Sequence, residues 1–120
     1  MGLGVDLVQV SRVRDSIATF GDAYLRRIFT SGEIAYATSA DPELAAARFA
    51  ARFAAKEAAI KALDLAEVGI SWRDIEVVRS PSGAPSLVLH GAARAAARDR
   101  ALAVSLSHEG DYATAVVTSQ

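Results

Sequence analysis

The chain of 120 residues contains no cysteine. Disulfide bonds, thiolate nucleophiles and cysteine-ligated zinc sites are therefore excluded, and the absence of cysteine fits a reducing compartment. Only two histidines are present, so few ligands are available for a soft transition metal. A site for such a metal would be hard to build from this composition.

Long hydrophobic runs and a strong charge of either sign are also missing. No apolar stretch approaches the ~18 residues of a membrane span, and no basic region followed by an apolar run marks a signal peptide. The net charge of −1 gives no general basis for binding nucleic acid or an anionic membrane, so any basic surface must be local. We expect a cytoplasmic protein with neither a nucleic-acid nor a membrane partner.

The composition is that of an ordinary globular domain, with 52% hydrophobic and 22% charged residues. The length predicts one domain over residues 1–120. No repeat, linker or low-complexity segment interrupts it. Helices alternate with mostly antiparallel strands, which predicts an α+β fold in which the sheet packs on a long helix.

Capping and turn signals define the predicted elements. The first half of the chain is predicted to contain a strand at 2–8, a helix from its cap Ser11 to about Phe20 with Gly21 as its stop, a helix at 23–28, a helical turn with a Thr30–Glu33 capping box, and a long helix from its cap Asp41 to about Leu63. The second half is predicted to contain strands at 74–79 and 86–89 around a turn at 80–83, a helix at 91–100, and a final hairpin. The first strand of that hairpin ends at His108, and the second covers 112–118.

The long helix carries charges beside its aromatic stripe. At about 100° per residue, Phe49, Phe53 and Ile60 fall within one narrow arc, and Lys56 and Glu57 flank it. A charge carried toward a core must be paired, bound to metal or used in chemistry. The alternative is that Lys56 extends to water and Glu57 lies at the margin of the stripe.

The first strand offers a partner for these charges. It places Leu3, Val5 and Leu7 on one face, and two glycines with Asp6 on the other. Glycines in a strand indicate close approach of another backbone, here beside a carboxylate. A tight helix-packing site, with Asp6 capping a loop, competes with this interpretation.

The C-terminal hairpin supplies a third candidate. Ser107 and His108 lie at the end of its first strand, before the Glu-Gly-Asp turn. A lone histidine at a strand end is more often a turn or surface residue than a catalytic one. Each of the three segments is weak evidence by itself.

Together and in this order, the three segments resemble the holo-[acyl-carrier-protein] synthases, the short, group I 4′-phosphopantetheinyl transferases. The similarity spans nearly the whole chain. The main motifs are Gly4-Val5-Asp6, Phe53-Ala54-Ala55-Lys56-Glu57-Ala58 with Lys61, and Ser105-Leu106-Ser107-His108 with Tyr112-Ala113; lesser ones are Phe29-Thr30-Ser31-Gly32-Glu33, Trp72-Arg73-Asp74-Ile75-Glu76-Val77 and Ser82-Gly83-Ala84-Pro85. The resemblance implies a 4′-phosphopantetheinyl transferase-like fold.

The resemblance also implies a reaction. The phosphopantetheine arm of coenzyme A would move to a serine hydroxyl of an apo acyl carrier protein of fatty-acid or polyketide type, releasing adenosine 3′,5′-bisphosphate. Asp6 and Glu57 match the family's metal-binding carboxylates. Mg²⁺ suits such a site, because it is commonly held by one or two carboxylates plus substrate phosphate.

The other family positions imply ligand contacts. Lys56 would face the pyrophosphate as a point charge, and Arg52 and Lys61 would contact phosphate. For Arg52 and Lys61, ordinary pairing at i,i+4 on a solvated face is the alternative. Ser107 and His108 match the position that contacts the nucleotide's 3′-phosphate. Four residues, Asp6, Lys56, Glu57 and His108, would thus form the catalytic group.

Carrier binding is expected at a local basic surface. The resemblance places Arg12 at a carrier-contacting position, and three further arginines lie nearby in sequence, Arg14, Arg26 and Arg27. The family forms trimers with active sites between subunits, which implies a homotrimer here. The many alanines agree, because small side chains bury little apolar area and such domains often gain core by association.

Three questions stay open at this point. The family's glycine-rich loop is replaced by residues 64–71, which have one glycine and two added carboxylates, so nucleotide contacts there are in doubt. The serine proton could pass to a water held by the metal, to Glu57 or to His108. A Mg²⁺-dependent nucleotide phosphatase and a non-catalytic binding module for carrier proteins or coenzyme A are the competing functions.

Overall fold

The computed structural model describes residues 1–120, which fold into five strands and five α-helices. The order is β1 (Gly2–Gln9), α1 (Val10–Phe20), α2 (Asp22–Ile28), α3 (Ser31–Thr38), α4 (Pro42–Leu63), a 3₁₀ turn (Trp72–Asp74), β2 (Ile75–Arg79), β3 (Pro85–Leu89), α5 (Gly91–Ala97), β4 (Leu102–Glu109) and β5 (Tyr112–Ser119).

Two antiparallel sheets surround the long helix. One sheet has three strands in the order β1-β5-β4, and the other pairs β2 with β3. Helix α4 lies against β1 and β5 and also contacts β2 and β4, so its alanine-rich surface forms the centre of the core. The expected α+β fold, with antiparallel sheet packed on a long helix, is confirmed. None of the five α-helices has the length and hydropathy of a transmembrane span.

Close packing between β1 and α4 depends on two glycines. A Cβ atom on Gly4 would lie 2.8 Å from the carbonyl carbon of Ala58 and 2.9 Å from the amide nitrogen of Ala62. A Cβ on Gly2 would lie 2.9 Å from the carbonyl carbon of Ala62. The glycines therefore do serve tight helix packing, as the competing interpretation held, and the same contact brings the face that carries Asp6 onto α4.

Two predicted helix caps are confirmed. The Asp41 side chain accepts from the amide of Leu44 at 3.0 Å. Thr30 and Glu33 form the reciprocal capping box of α3, with the Thr30 amide 2.9 Å from a Glu33 carboxylate oxygen.

The cap expected at Ser11 is wrong. Helix α1 begins one residue earlier, at Val10, and Gln9 occupies the cap position without a side-chain bond. Ser11 instead donates its amide at 2.9 Å and its hydroxyl at 2.6 Å to the carboxylate of Asp111, in the β4–β5 turn. A residue distant in sequence thus satisfies the first turn of the helix, so local sequence could not reveal the cap.

Other boundaries differ by a few residues. Helix α5 ends at Ala97 because Arg98 adopts a positive φ of 59°. Strand β2 begins at Ile75 because Ser71 and Asp74 cap a 3₁₀ turn just before it. The strands of the final hairpin each extend one residue beyond the predicted end.

Candidate active site

Asp6 and Glu57 line one open cleft of about 550 Å³. Asp6 faces α4 because it shares a strand face with the two glycines, and Glu57 projects from the middle of that helix. The aromatic rings of Phe53, Tyr24 and Tyr112 form part of the walls. The expected convergence of two carboxylates that are distant in sequence is therefore present in the fold.

The two carboxylates influence each other. Burial raises the pKa of Glu57 above its usual value, and the negative charge of Asp6 raises it further, against the lowering influence of Lys61. The Lys61 ammonium lies 3.5 Å from an Asp6 carboxylate oxygen and donates to the Val5 carbonyl at 2.9 Å. This lysine is largely exposed, so it can turn toward a ligand in the cleft.

The carboxylates of Asp6 and Glu57 suit a hard divalent cation whose other ligands are not side chains of this site. The chain has no group of three or more His, Cys, Asp or Glu side chains placed to hold a metal. Two carboxylates are sufficient for Mg²⁺, which keeps several waters and often binds substrate phosphate. A cation between Asp6 and Glu57 would also relieve the repulsion that raises the pKa of Glu57.

A second cleft, of about 460 Å³, is basic. It contains three of the expected phosphate ligands, Arg52, Ser107 and His108. Its polar lining also includes Ser105 and three residues that were not predicted from the sequence, namely Arg48, Arg79 and Tyr36. No carboxylate lines it, so its walls would not repel an anion.

The sequence contained a signal for only one of the missed residues. Arg48 precedes Arg52 by four positions, so the two lie one turn apart on the same face of α4. Tyr36 and Arg79 reach the cleft from α3 and the end of β2, and only the tertiary packing of these elements against α4 reveals them.

The two clefts share no residue within one chain. At 100° per residue, Arg52 and Glu57 lie about 140° apart around the axis of α4. The structure therefore brings Asp6 together with Glu57, and Arg52 together with His108, but it leaves the two pairs on different sides of the helix.

Lys56 does not face either cleft, which corrects the expectation that it faces a pyrophosphate. The side chain is fully buried. Its ammonium donates to a Glu33 carboxylate oxygen at 2.8 Å, to the Trp72 carbonyl at 3.1 Å and to the Ile75 carbonyl. Burial lowers its pKa, although Glu33 opposes this. All three N–H donors are used, so the lysine holds α3 and β2 onto α4.

Glu33 is the buried partner in this network. Its second carboxylate oxygen accepts from the Val77 amide at 2.8 Å, and its first also accepts from the Thr30 amide. A carboxylate with 1% exposure therefore has both oxygens satisfied. The capping-box pattern identified Glu33 in the sequence but not its role in the core.

The four arginines of the expected carrier surface are all exposed, but they do not form one patch. Arg12 lines the cleft of Asp6 and Glu57. Arg14 lies in another depression, with Glu43, Asp111 and His108. Arg26 borders a third, beside Arg73. Arg27 lies next to Arg26 in the last turn of α2.

The loop at residues 64–71 lies away from both clefts. Its two carboxylates, on Asp64 and Glu67, are exposed and line neither of them. Leu65 is buried in the core, and Gly69 and Ile70 border a small apolar depression of about 230 Å³. The added acids therefore do not line the basic cleft of their own chain.

Residues 2–117 match the family described as the 4′-phosphopantetheinyl transferase superfamily. The chain is 46% identical over 121 residues to the holo-[acyl-carrier-protein] synthase of Koribacter versatilis, covering 98% of this chain and 95% of that protein.

Two solved structures extend the similarity to the fold. One is the Helicobacter pylori holo-[acyl-carrier-protein] synthase in complex with coenzyme A, with a TM-score of 0.83, 30% identity and coverage of 98% and 99% of the two chains. The other is the Mycobacterium tuberculosis acyl carrier protein synthase, with a TM-score of 0.75, 38% identity and coverage of 99% and 96%.

Proposed function

The chain belongs to the 4′-phosphopantetheinyl transferase superfamily, and we propose that residues 1–120 form one transferase domain with holo-[acyl-carrier-protein] synthase activity. It transfers the 4′-phosphopantetheine of coenzyme A to a serine hydroxyl of an apo acyl carrier protein of fatty-acid or polyketide type. The observation that carries the proposal is the convergence of Asp6 and Glu57 in a cleft of a chain with this fold.

Asp6 and Glu57 are proposed to hold Mg²⁺. When bound, the ion neutralises charge on the pyrophosphate and supplies the electrostatic stabilisation that phosphoryl-type transfer requires. Lys61, whose ammonium already approaches Asp6, adds a positive charge at the same edge of the cleft. Lys56 supports this site through the core and does not contact the ligand.

The bond changes follow from the substrates. The serine oxygen forms a bond to phosphorus, and the pyrophosphate P–O bond breaks. The electron pair leaves with adenosine 3′,5′-bisphosphate, and the serine proton passes to a base. Two side chains of the proposed site can accept it, Glu57 and His108.

Arg52, Ser107 and His108 are proposed to bind the 3′-phosphate of coenzyme A. The basic cleft that contains them has no acidic wall, and a phosphate dianion there would gain charge-assisted hydrogen bonds from guanidinium groups. Because this cleft and the Asp6–Glu57 cleft are separate in one chain, a single coenzyme A would be bound by the Asp6 side of one subunit and the Arg52 side of another.

A homotrimer with active sites between subunits meets that requirement. Its association surface is proposed to include the outer face of the three-stranded sheet, where Leu3, Val5 and Leu7 are 67%, 55% and 65% exposed. Val116 lies opposite Val5 in the sheet and is also exposed, so the apolar residues are contiguous. Such a patch on a globular chain indicates an interface.

The acidic helix of the carrier protein is proposed to dock beside the metal cleft. Arg12 is the best-placed contact, because it lines the cleft in which the serine must react. Arg14, Arg26 and Arg27 are exposed and contribute to electrostatic steering.

The test is an intact-mass assay of apo carrier protein with coenzyme A and Mg²⁺. The carrier should gain the mass of one phosphopantetheine. Glu57→Gln should abolish the gain and leave the circular dichroism spectrum unchanged, whereas Glu67→Gln, an exposed acid outside both clefts, should behave like the wild type.

Other outcomes would reassign the protein. Release of inorganic phosphate without carrier would identify a phosphatase. Tight binding of coenzyme A with no transfer to any of several fatty-acid and polyketide carriers would identify a binding module. Near-normal turnover of Glu57→Gln would remove Glu57 from the metal site.

A further inference from the structure

Three guanidinium groups surround one aromatic ring in the basic cleft. The Cζ atoms of Arg48, Arg52 and Arg79 lie 4.3, 4.4 and 5.0 Å from the centroid of the Tyr36 ring. The arginines come from α4 and β2 and the tyrosine from α3, so the ring is where these elements meet. Cation–π attraction holds each guanidinium near it.

Tyr36 also binds two of these arginines by hydrogen bonds. Its hydroxyl accepts from Arg79 Nη1 at 2.7 Å, and its backbone carbonyl accepts from Arg48 Nη1 at 3.0 Å. The ring is not part of the buried apolar clusters, and it is only half-buried. Its contacts are therefore directed to the arginines more than to the core.

The arginine cluster lacks a balancing negative charge. No carboxylate forms an ion pair with any of the three arginines. Arg52 is only 3% exposed, and its Nε atom has no hydrogen-bond partner. Burial lowers the pKa of Arg52, and the charges of Arg79 and Arg48 lower it further, while Tyr36 and Glu33 act in the opposite direction. Three crowded cations with an unused donor indicate a site for an anion.

We propose that Tyr36 is a positioning residue that holds Arg48, Arg52 and Arg79 as a preformed receptor for the 3′-phosphate, and that it thereby sets the preference for coenzyme A over dephospho-coenzyme A. The inference rests on the proposed function for the identity of the ligand. The ring fixes three long side chains before the ligand arrives, so less side-chain entropy is lost on binding.

The first test is calorimetric binding of adenosine 3′,5′-bisphosphate and of adenosine 5′-monophosphate, which lacks the 3′-phosphate. Wild type should prefer the bisphosphate. Tyr36→Leu should reduce that preference by about tenfold or more, because all three cations lose their support. Tyr36→Phe keeps the ring and loses one hydrogen bond, so it should retain most of the preference.

The second test is kinetic and separates positioning from folding. In Tyr36→Leu the KM for coenzyme A should rise more than kcat falls, while the KM for dephospho-coenzyme A changes little. Thr38→Ala, an exposed position on the same helix and outside the cleft, is the matched control. If Tyr36→Leu does not fold, Arg79→Gln at the exposed end of β2 should lower the same preference.

The inference would be overturned if Tyr36→Leu kept the wild-type preference for the bisphosphate over the monophosphate, or if it lost affinity equally for both nucleotides. It would also be overturned if the wild type bound the two nucleotides equally well. Failure of the proposed function has a different signature. In that case the wild type transfers nothing to any carrier, whereas the nucleotide binding ratio is still measured by calorimetry.

Discussion

Gly4→Ala is the sharpest test of how the fold assembles the two carboxylates. The added methyl group would lie 2.8 Å from the Ala58 carbonyl carbon, 2.9 Å from the Ala62 amide nitrogen and closer still to the Ala58 carbonyl oxygen. These are backbone atoms of α4, so no flexible side chain can move aside. Strand β1 must therefore shift away from the helix.

The magnitude follows from two opposing effects. Replacing glycine by alanine restricts the unfolded chain and stabilises by ~0.4–1 kcal/mol where the site is compatible. Overpacking a tight site typically destabilises by ~1–3 kcal/mol, and contact with helix backbone favours the upper end. The expected net loss is about 2 kcal/mol. For a domain of 120 residues, this lowers Tm by about 8 °C.

The shift should also impair the site, because Asp6 is two residues from Gly4 on the same strand face. A displacement of about 1 Å between catalytic groups can reduce the rate by roughly 10²-fold. Thermal unfolding gives the stability effect, and transfer kinetics well below Tm give the effect on the folded protein.

Gly69→Ala is the matched control. It makes the same substitution at a glycine that has open space around it and no positive φ. Its Tm should be equal to or slightly above that of the wild type. A Gly4→Ala variant as stable as Gly69→Ala would refute the idea that backbone contact between β1 and α4 positions Asp6.

Two further changes probe the buried and half-buried charges around β2. Lys56→Met should destabilise the fold by ~3 kcal/mol, because it leaves the Glu33 carboxylate buried without its cation. Denaturant unfolding should show that the double variant with Glu33→Gln recovers part of this loss. A Lys56→Met variant that is stable but inactive would restore a direct catalytic role for the lysine. Burial tends to raise the pKa of Glu76, but hydrogen bonds from Thr30 and His90 prevail and hold it below its usual value of 4.5. As the pH falls, Glu76 is therefore protonated in the unfolded chain before it is protonated in the folded one. The stability that Glu76 contributes is present above about pH 4.5 and is lost below it. Glu76→Gln should flatten the dependence of Tm on pH in that acidic range, and an unchanged slope would count against the lowered pKa of Glu76.

Local patterns predicted the elements well where the deciding contacts are local. Asp41 and the Thr30–Glu33 pair cap their helices through residues three positions away, and these contacts can be read from spacing. Ser11 shows the limit of such patterns, because its partner Asp111 is 100 positions away. The residues next to Ser11 in sequence therefore do not reveal its role.

The same distinction applies to the candidate site. Asp6 could be predicted because strand alternation places it on the face of the two glycines, and close approach of a helix follows from those glycines. Lys56 could not be placed correctly, since its partners Glu33, Trp72 and Ile75 reach it from three separate segments. Its position next to Glu57 in the motif conceals a structural role.

Helical periodicity explains why the candidate site residues lie in two clefts and not one. Glu57 follows Arg52 by five residues, which places them about 140° apart, so the helix that presents both cannot direct them at one small region. Asp6 joins the Glu57 side because β1 packs there, and Tyr36 and Arg79 join the Arg52 side through α3 and β2. This separation underlies the proposal that the pyrophosphate and the 3′-phosphate of one coenzyme A are held by two copies of α4. The exposed apolar face of Leu3, Val5 and Leu7 lies on the strand that carries Asp6, so association through that sheet would bring a second subunit next to the cleft of Asp6 and Glu57.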